Sequence, residues 1–352
     1  MIYNVVYITL YTGKINEMNK PIRIADIAKT AGVSASTVSA VLADKSHCYA
    51  SESTKERIRQ IAEKMEYVPD MSARRLRGGS TMTIGVMGSF GSESAYRLVA
   101  KLAEHLWMDG YQCLLADSRT MAMTQERIIK CFIARGIDAL VLCDCKRIEL
   151  PDKLPVLKIN YGDGADIYTD RISGMQQIVE HLIKVHGHNS IVFTGPVEAN
   201  MDKFSGFINA LEHCGIKFSE DMVLDSRSSH NLNRLIIDKV KKNLVTAIVT
   251  TNDTVALYLI NYLQFHGVKV PEDVAVTGFD DSPMLRFSNP PLTTVFQPVE
   301  LIAEKAAAEL KHRLAGGTPN ERAAIKPEIR LRRSCGCSFD TESFLADFSS
   351  SI

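Results

Sequence analysis

The sequence predicts a small all-α helix-turn-helix domain followed by a larger α/β domain of two lobes. Between residues 22 and 70, apolar residues recur at helical spacing on both sides of a short turn. From residue 83 onward, apolar strand-like runs alternate with helical patterns. The chain has 352 residues, which is long enough for a small domain plus a bilobed one.

The first two predicted helices are joined by a very short turn. Apolar residues at 24, 27, 28 and 31 form one stripe on the first helix, which ends at Gly32. Ser34 is a good N-cap for a second helix that runs through Leu42. This arrangement is typical of a helix-turn-helix, although an αα-hairpin with an arbitrary surface would show the same pattern.

A third helix is expected to begin at a capping box formed by Ser53 and Glu56 and to end at 67–69.

The predicted head is basic. Residues 20–78 carry 11 Lys and Arg against 7 Asp and Glu, a net charge of +4, whereas the whole chain has 41 of each. A basic head on an acidic body is expected if only the head meets phosphates. We therefore expect the head to bind double-stranded DNA.

Small side chains lie near the start of the second predicted helix, where a recognition helix contacts base edges in the major groove. Alanine can contact a thymine methyl group and serine can bond several base edges, but neither makes the bidentate contact of arginine with guanine. The residues of this helix that are predicted to contact DNA are Ser34, Ala35, Ser36, Thr37, Ser39 and Ala40.

A short basic segment, residues 71–77, follows the third helix and is too short to be a stable helix alone in water. On DNA, Arg74 and Arg77 could bind phosphates or the narrow minor groove while Leu76 separates a base step. The alternative is that this segment is simply a basic linker.

Uniformly apolar runs in the body indicate parallel sheets that are covered on both faces, and their number suits two doubly wound lobes. The runs lie at 83–88, 111–117, 138–144, 155–160, 190–195, 247–253 and 273–281. No dinucleotide fingerprint, phosphate loop or nucleophile elbow follows any of them. We therefore expect neither enzyme activity nor a cofactor.

Polar side chains gather at the predicted carboxyl ends of these runs, where open α/β sheets bind ligands. They are Asn160, Asp170, Asn252, Asp253 and Asp280, with Tyr161 and Phe279 adjacent. Carboxylates and amides beside aromatic rings suit a polyol, which needs hydrogen bonds at its edges and stacking on its faces. For any one of these residues, helix capping or turn formation explains the position as well as ligand contact does.

The eight cysteines are scattered, and buried reduced thiols explain them best. Cys143/Cys145 and Cys335/Cys337 have C-x-C spacing, but neither pair has a second pair or a histidine cluster near it in the sequence, so no metal site is expected.

The apolar run at 2–11 is too short to span a bilayer and lacks the features of an export signal. A cytoplasmic location without membrane contact is expected.

From Ile22 to Cys337, the sequence resembles the LacI/GalR family of bacterial transcription regulators. The segments that carry the resemblance are IADIAKTAGVSASTVSAVL (24–42), RIRQIAEKMEYVPDMSARRLRGGSTMTIGV (57–86), HLIKVHGHNSIVFTG (181–195), PEDVAVTGFDDSP (271–283) and LRRSCGC (331–337). The resemblance implies a hinge helix after the head and a body like a type I periplasmic binding protein. It also implies a homodimer that binds a near-palindromic operator, and a small-molecule effector in the cleft between the lobes.

By motif, the base-reading positions of this family fall on Ala35, Ser36 and Ala40, and its minor-groove wedge falls on Leu76. An arginine that is common at the last base-reading position is absent, so the operator preference of members that use it cannot be transferred. The family's effector contacts fall on Tyr96, Tyr161, Asp170, Lys203, Asn252 and Asp280. Lys203 stands where many members have an arginine, and it offers a point charge instead of a fork.

The resemblance also implies the domain boundaries. The head spans 22–70, the hinge helix and linker 71–81, and the effector-binding and dimerisation domain 82–337. Its first lobe takes 82–168 and 293–316, and its second lobe takes 170–290 and 320–337, so the chain crosses between the lobes three times. An N-terminal extension, 1–21, precedes the head, and its first 17 residues are either an upstream addition before Met18 or a dispensable strand. The tail, 338–352, has no leucine heptads, which argues against a coiled-coil tetramer.

The sequence thus predicts a sequence-specific DNA-binding transcription regulator, most simply a repressor, controlled by a sugar or related metabolite. The alternative is a regulator whose body mainly docks a partner protein.

Overall fold

The computed structural model describes residues 22–42, 49–67, 79–118, 124–145, 148–151, 154–225 and 232–340. The predicted N-terminal extension, the hinge residues Arg74, Leu76 and Arg77, and the tail after residue 340 lie outside the described residues. The chain divides into two units, Met1–Gly79 and Ser80–Ile352. In the part of the chain that is described, no helix is long and apolar enough to cross a membrane.

The described part of the head contains three helices packed around one small core. The helices are α1 (Ile24–Ala31), α2 (Ala35–Leu42) and α3 (Glu52–Lys64). Each contributes a fully or almost fully buried side chain, Ile27, Val38 and Ile58, and burying one such side chain stabilises a fold by roughly 1.5–3 kcal/mol. Gly32 ends α1 with a φ of 65°, a conformation that strains other residues. The predicted helix-turn-helix is confirmed.

The beginning of α3 differs from the sequence-based expectation. Ser51 is the N-cap, and its Oγ accepts a hydrogen bond from the Thr54 N–H at 3.3 Å. The capping box predicted at Ser53 and Glu56 is wrong, because Ser53 already lies inside the helix and a capping side chain must precede the first helical residue.

The first lobe of the body is built on a parallel sheet. Its described strands are β1 (Thr83–Gly88), β2 (Gln112–Asp117), β3 (Ala139–Cys143), β4 (Val156–Ile159), β5 (Ile167–Thr169) and β11 (Ala323–Ile325). They pair in the order β11-β5-β4-β3-β1-β2. Helices α4 (Glu93–Met108) and α10 (Val299–Leu314) cover one face, and α5 (Gln125–Arg135) covers the other. Cover on both faces explains why β1 and β3 are apolar along almost their whole length.

The second lobe has a smaller parallel sheet. Its described strands are β6 (Ile191–Thr194), β7 (Val223–Leu224), β8 (Ala247–Thr250) and β9 (Ala275–Thr277), in the order β7-β6-β8-β9. Helices α6 (Arg171–Lys184) and α7 (Met201–His213) pack on one face, and α8 (Leu232–Lys241) and α9 (Asp253–Phe265) pack on the other. Gly206 allows α7 to approach α6 closely, since a Cβ there would lie 2.3 Å from the Ile172 carbonyl oxygen.

The chain passes between the lobes at 169–171, 296–299 and 325–328. Two short strands adjoin these crossings, β10 (Thr294–Phe296) and β12 (Glu328–Arg330), and they pair antiparallel. The Asp170 N–H donates to the Ile325 carbonyl oxygen at 2.9 Å, which ties the first crossing to the third. The chain thus moves from one sheet to the other at three neighbouring places.

The positions of two crossings need correction. Residues 320–325 were expected in the second lobe, but β11 pairs with β5 of the first lobe. Residues 293–296 were expected in the first lobe, but the N–H groups of Gly278 and Asp280 donate to the carbonyl oxygens of Thr293 and Val295. Backbone pairing thus places 293–296 beside the second lobe. The apolar patterns of these three-residue strands are too short to reveal which sheet they join.

Candidate effector cleft and nucleic-acid interface

The N-terminal end of α2 presents hydroxyl groups and small side chains. Ser34 caps the helix, because its Oγ accepts a hydrogen bond from the Thr37 N–H at 3.1 Å. The same Oγ lies 2.7 Å from Ser36 Oγ and 2.8 Å from Thr37 Oγ1. Ala35 and Ser36 are exposed, whereas Ser39 and Ala40 are half-buried. Such a surface can approach base edges closely and offers hydroxyl donors and acceptors to them.

In the body, Asp280 lies at the end of the apolar run that contains β9, where the two lobes meet. Its carboxylate is buried and accepts a hydrogen bond from Nε2 of Gln297, which lies at the second crossing. Burial raises the pKa of Asp280, against the opposing effect of the positive charges on Lys203 and Arg171. A carboxylate held between two cations and an amide is a strong hydrogen-bond acceptor for ligand hydroxyl groups.

Lys203 approaches the same point from α7 and is also buried. Its Nζ donates to the Thr251 carbonyl oxygen at 2.6 Å and lies 4.1 Å from the centroid of the Phe279 ring. Burial lowers the pKa of Lys203, and the Asp280 carboxylate counters this only in part. The structure thus brings together two of the predicted effector residues, Lys203 and Asp280.

Arg171 completes this cluster and was not predicted. Its Nη2 donates to Asp144 Oδ1 of the first lobe at 2.8 Å, and its Nη1 lies 3.5 Å from Asp202 Oδ2. Its Nε donates to Gln297 Oε1 at 3.5 Å. Burial lowers the pKa of Arg171, but the carboxylates of Asp144 and Asp202 outweigh it and raise that pKa overall. Asp144 ends the predicted run 138–144, so the rule that placed candidates at strand carboxyl ends could have identified it.

A second contact joins the lobes on the other side of Asp280. The Ser282 hydroxyl group donates to the carboxylate of Glu93, in the first turn of α4. Burial raises the pKa of Glu93. The neighbouring residue Ser94 is buried and hydrogen-bonds to Asp280. Side chains from both lobes therefore converge on one acidic residue.

The other predicted effector residues are less directly involved. Asp170 and Asn252 are N-caps of α6 and α9, where their side chains accept hydrogen bonds from the N–H groups of Ser173 at 3.0 Å and Val255 at 2.9 Å. Tyr161 is buried, and its hydroxyl oxygen accepts from the Ile148 N–H at 2.9 Å. Tyr96 is 65% exposed on α4. Helix capping, the alternative considered for the first two, is thus present in the fold.

Asp253 has a structural position. It is almost fully buried, and its two oxygens accept hydrogen bonds from the Ser282 N–H at 2.7 Å and from Thr294 Oγ1 at 2.5 Å. Both partners belong to segments that flank Asp280. Asp253 therefore holds in place the backbone that carries Asp280.

Comparison with known sequences gives two matches along the chain. Residues 23–70 match the family model for bacterial regulatory proteins of the lacI family, and residues 179–335 match the model for a periplasmic binding protein-like domain. The chain thus combines a head that matches the lacI family of bacterial regulatory proteins with a periplasmic-binding-protein-like body. This confirms the resemblance in the sequence and the predicted fold class, a helix-turn-helix head followed by a periplasmic-binding-protein-like body.

Two relatives align over most of the length of this chain. It is 28% identical over 328 residues to the HTH-type transcriptional repressor PurR of Vibrio parahaemolyticus, covering 88% of this chain and 98% of that one. It is 29% identical over 331 residues to the protein of the same name from Pasteurella multocida, with the same coverage.

Solved structures show the same fold. The lac repressor dimer bound to operator and the anti-inducer ONPF superimposes with a TM-score of 0.76 at 22% identity, covering 90% of this chain and 99% of that one. A complex of the transcriptional regulator CelR with cellobiose superimposes with a TM-score of 0.63 at 24% identity, covering 89% and 99%.

Proposed function

We propose that this lacI-family protein is a transcriptional repressor whose operator binding is controlled by a sugar or related metabolite in the cleft between the lobes. The observation that carries the proposal is the buried cluster of Arg171, Lys203 and Asp280 at the meeting point of the two lobes. Such a cluster offers both donors and acceptors to a ligand rich in hydroxyl groups. The protein acts in the cytoplasm as a regulator and has no enzymatic role.

The same cluster provides a way for a ligand to act on the lobes. Arg171 pairs with Asp144 of the first lobe, and Asp280 bonds to Gln297 at a crossing. A ligand that replaces either partner changes the contacts that hold the lobes together. Because it then binds the open and closed arrangements with different affinity, it shifts the balance between them.

Asp280 and Lys203 are the principal effector contacts in this proposal. Capping uses the Oδ1 atom of Asn252, so its Nδ2 group can donate to a ligand hydroxyl group. Asp170 and the aromatic residues Tyr96 and Tyr161 are secondary candidates, with Tyr96 able to reach a ligand that enters from the surface.

Operator binding is proposed to use α2 and the hinge. The exposed Ala35 and Ser36, with Ala40, meet base edges, while Leu76 enters the minor groove between Arg74 and Arg77. The names of the PurR relatives and the operator in the lac repressor structure support this part of the proposal.

A homodimer is proposed to place two heads on one operator. Large apolar side chains are exposed on the second lobe at Tyr258, Met284 and Phe287, with exposed fractions of 57%, 56% and 72%. Large exposed apolar side chains are more common at protein interfaces than elsewhere on a surface. The lac repressor structure is that of a dimer, which supports this arrangement.

Thermal shift with a panel of sugars, sugar phosphates and nucleosides tests the effector part of the proposal, because a ligand that binds only the folded protein raises its melting temperature. We expect at least one sugar or related metabolite to raise it, and to change affinity for an operator selected in vitro. The Lys203→Met variant should lose the shift. Lys311→Met should keep it, since Lys311 is a surface lysine paired with Asp109.

The two competing functions give different results. If no metabolite shifts the melting temperature but a purified partner protein changes operator binding, the body docks a partner and the effector proposal is wrong. Failure to select any DNA sequence would contradict the repressor proposal itself.

A further inference from the structure

Two histidines and two cysteines converge in the second lobe, away from the effector cleft. His181 and His186 come from the end of α6, and Cys335 and Cys337 come from the last described segment of the chain. Their potential ligand atoms all lie within 4.8 Å of one another. His181 is ten residues along α6 from Arg171, so the cluster lies about 15 Å from the cleft along the helix axis.

The fold holds these four side chains on short, well-packed segments. His181 occupies the last turn of α6, and His186 follows in the turn before β6. Cys335 ends a 3-10 turn, Arg333–Cys335, and Gly336 then adopts a φ of 97°. This left-handed residue, which favours glycine, turns the chain so that both cysteines reach the same point. A Cβ at Gly336 would lie 3.4 Å from two atoms of the His186 ring.

Three of the distances between ligand atoms are close to those of a tetrahedron around one metal ion, and Cys335 lies slightly farther out. Nε2 of His181 and Nε2 of His186 are 3.2 Å apart, and each lies 3.3 Å from Cys337 Sγ. Cys335 Sγ lies 3.9 Å from His181 Nε2. Tetrahedral zinc with ordinary bond lengths separates two nitrogens by about 3.3 Å and a nitrogen from a sulfur by about 3.6 Å.

The surroundings also suit a metal. Cys335 is almost fully buried, whereas Cys337 and both histidines are half-buried, so an ion can enter from solvent. Thr293 Oγ1 lies 3.0 Å from Cys335 Sγ and can donate to a thiolate there. Outer contacts of this kind orient metal ligands.

We propose that His181, His186, Cys335 and Cys337 form a Cys₂His₂ zinc site that fixes the end of the chain to α6. Two thiolates balance the charge of Zn²⁺, and the two thiol protons pass to solvent when the ion binds. Four protein ligands leave no position for water or substrate, so the role of the ion is structural. Mixed sulfur and nitrogen ligands in a tetrahedron favour zinc over magnesium or calcium.

Zinc content measures this site directly. The full-length protein is expressed with added zinc and purified under reducing, anaerobic conditions, and its zinc is then released with a mercurial reagent and counted. We expect one zinc ion per chain. After exchange into Co²⁺, we expect the intense visible bands of a four-coordinate ion and a thiolate-to-cobalt charge-transfer band in the near ultraviolet.

Two variants remove ligands, and two matched controls do not. Cys337→Ser and His186→Gln should each lose the bound zinc, and Cys337→Ser should weaken the charge-transfer band. Cys214→Ser and His188→Gln should keep both, because Cys214 ends α7 and His188 pairs with Thr246 outside the cluster. Circular dichroism confirms that each protein compared is folded.

Either of two results would overturn the proposal. One is a reduced, folded wild-type protein that holds no more zinc than Cys337→Ser. The other is zinc that both ligand variants retain. If one variant does not fold, the other gives the answer, since His186 and Cys337 lie on separate segments.

Discussion

Arg171 of the second lobe and Asp144 of the first lobe form an ion pair across the cleft, with 2.8 Å between Nη2 and Oδ1. Both side chains are largely shielded from water, with exposed fractions of 18% and 22%. The pair therefore connects the proposed effector site to the contact between the lobes, because Arg171 also contacts Gln297 beside Asp280.

Replacing Asp144 with Ala should destabilise the body by about 1–3 kcal/mol, because Arg171 loses its nearest carboxylate while Asp202 remains 3.5 Å away. Urea unfolding measures this change. Asp109→Ala is the control, since its pair with Lys311 is more exposed and contributes about 0–1 kcal/mol. Equal losses of unfolding free energy in Asp144→Ala and Asp109→Ala would mean that the cleft pair stabilises the fold no more than a surface pair does.

Replacing Asp280 with Ala should weaken effector binding tenfold to a hundredfold, which corresponds to roughly 1.5–3 kcal/mol for a lost charge-assisted hydrogen bond. Isothermal titration with the effector measures this loss. Asp238→Asn, which changes an exposed carboxylate on α8, should have no effect. A lower melting temperature with undiminished affinity would mean that Asp280 has only a structural role.

Effector affinity should also depend on pH through Asp280. Burial raises the pKa of this carboxyl group, so lowering the pH protonates it early and removes an acceptor from the ligand. Affinity should therefore fall with falling pH, and Asp280→Asn should bind weakly with a flatter pH profile. The contribution to folding stability has the opposite sign, since a raised pKa in the native state favours folding at low pH and loses that effect as pH rises.

Replacing Ser51 with Ala should destabilise α3 by about 1 kcal/mol, because the Thr54 N–H loses its partner. Hydrogen exchange of the first turn of α3 in the full-length protein measures this directly. Ser53→Ala should change exchange much less, since Ser53 is not the N-cap. Faster exchange in Ser53→Ala than in Ser51→Ala would favour the capping box predicted from the sequence.

Replacing Leu76 with Ala should weaken operator binding by a few kcal/mol, the cost of one unstacked base step, while non-specific binding is spared. Gel-shift titrations with operator and with random DNA measure both affinities. Unchanged operator affinity in Leu76→Ala would mean that residues 71–77 are simply a linker.

Long periodic or uniformly apolar patterns were the most informative part of the sequence. All seven predicted runs contain strands. Five of these strands, all but β2 and β4, are buried along almost their whole length because helices cover both faces of their sheets. Strands of two or three residues, such as β7 and β11, have no pattern of their own and are determined by the sheet they join.

Within the cleft, residue type and strand position predicted Asp280, and the family resemblance predicted Lys203. Neither distinguished ligand contact from helix capping at Asp170 and Asn252. The histidine and cysteine cluster was missed because about 150 residues separate its two halves in the sequence. The C-x-C spacing at 335–337 alone gave no indication of histidines that only the fold brings near.

The three crossings have a mechanical consequence. Two bodies joined by a single strand can twist and slide freely, whereas three adjacent links leave one easy motion, rotation about a line through the links. The bond from Asp170 to Ile325 joins the first and third links and stiffens this line. Arg171 and Gln297 belong to the first and second links, so a small change in their contacts would turn the far ends of the lobes through a much longer arc.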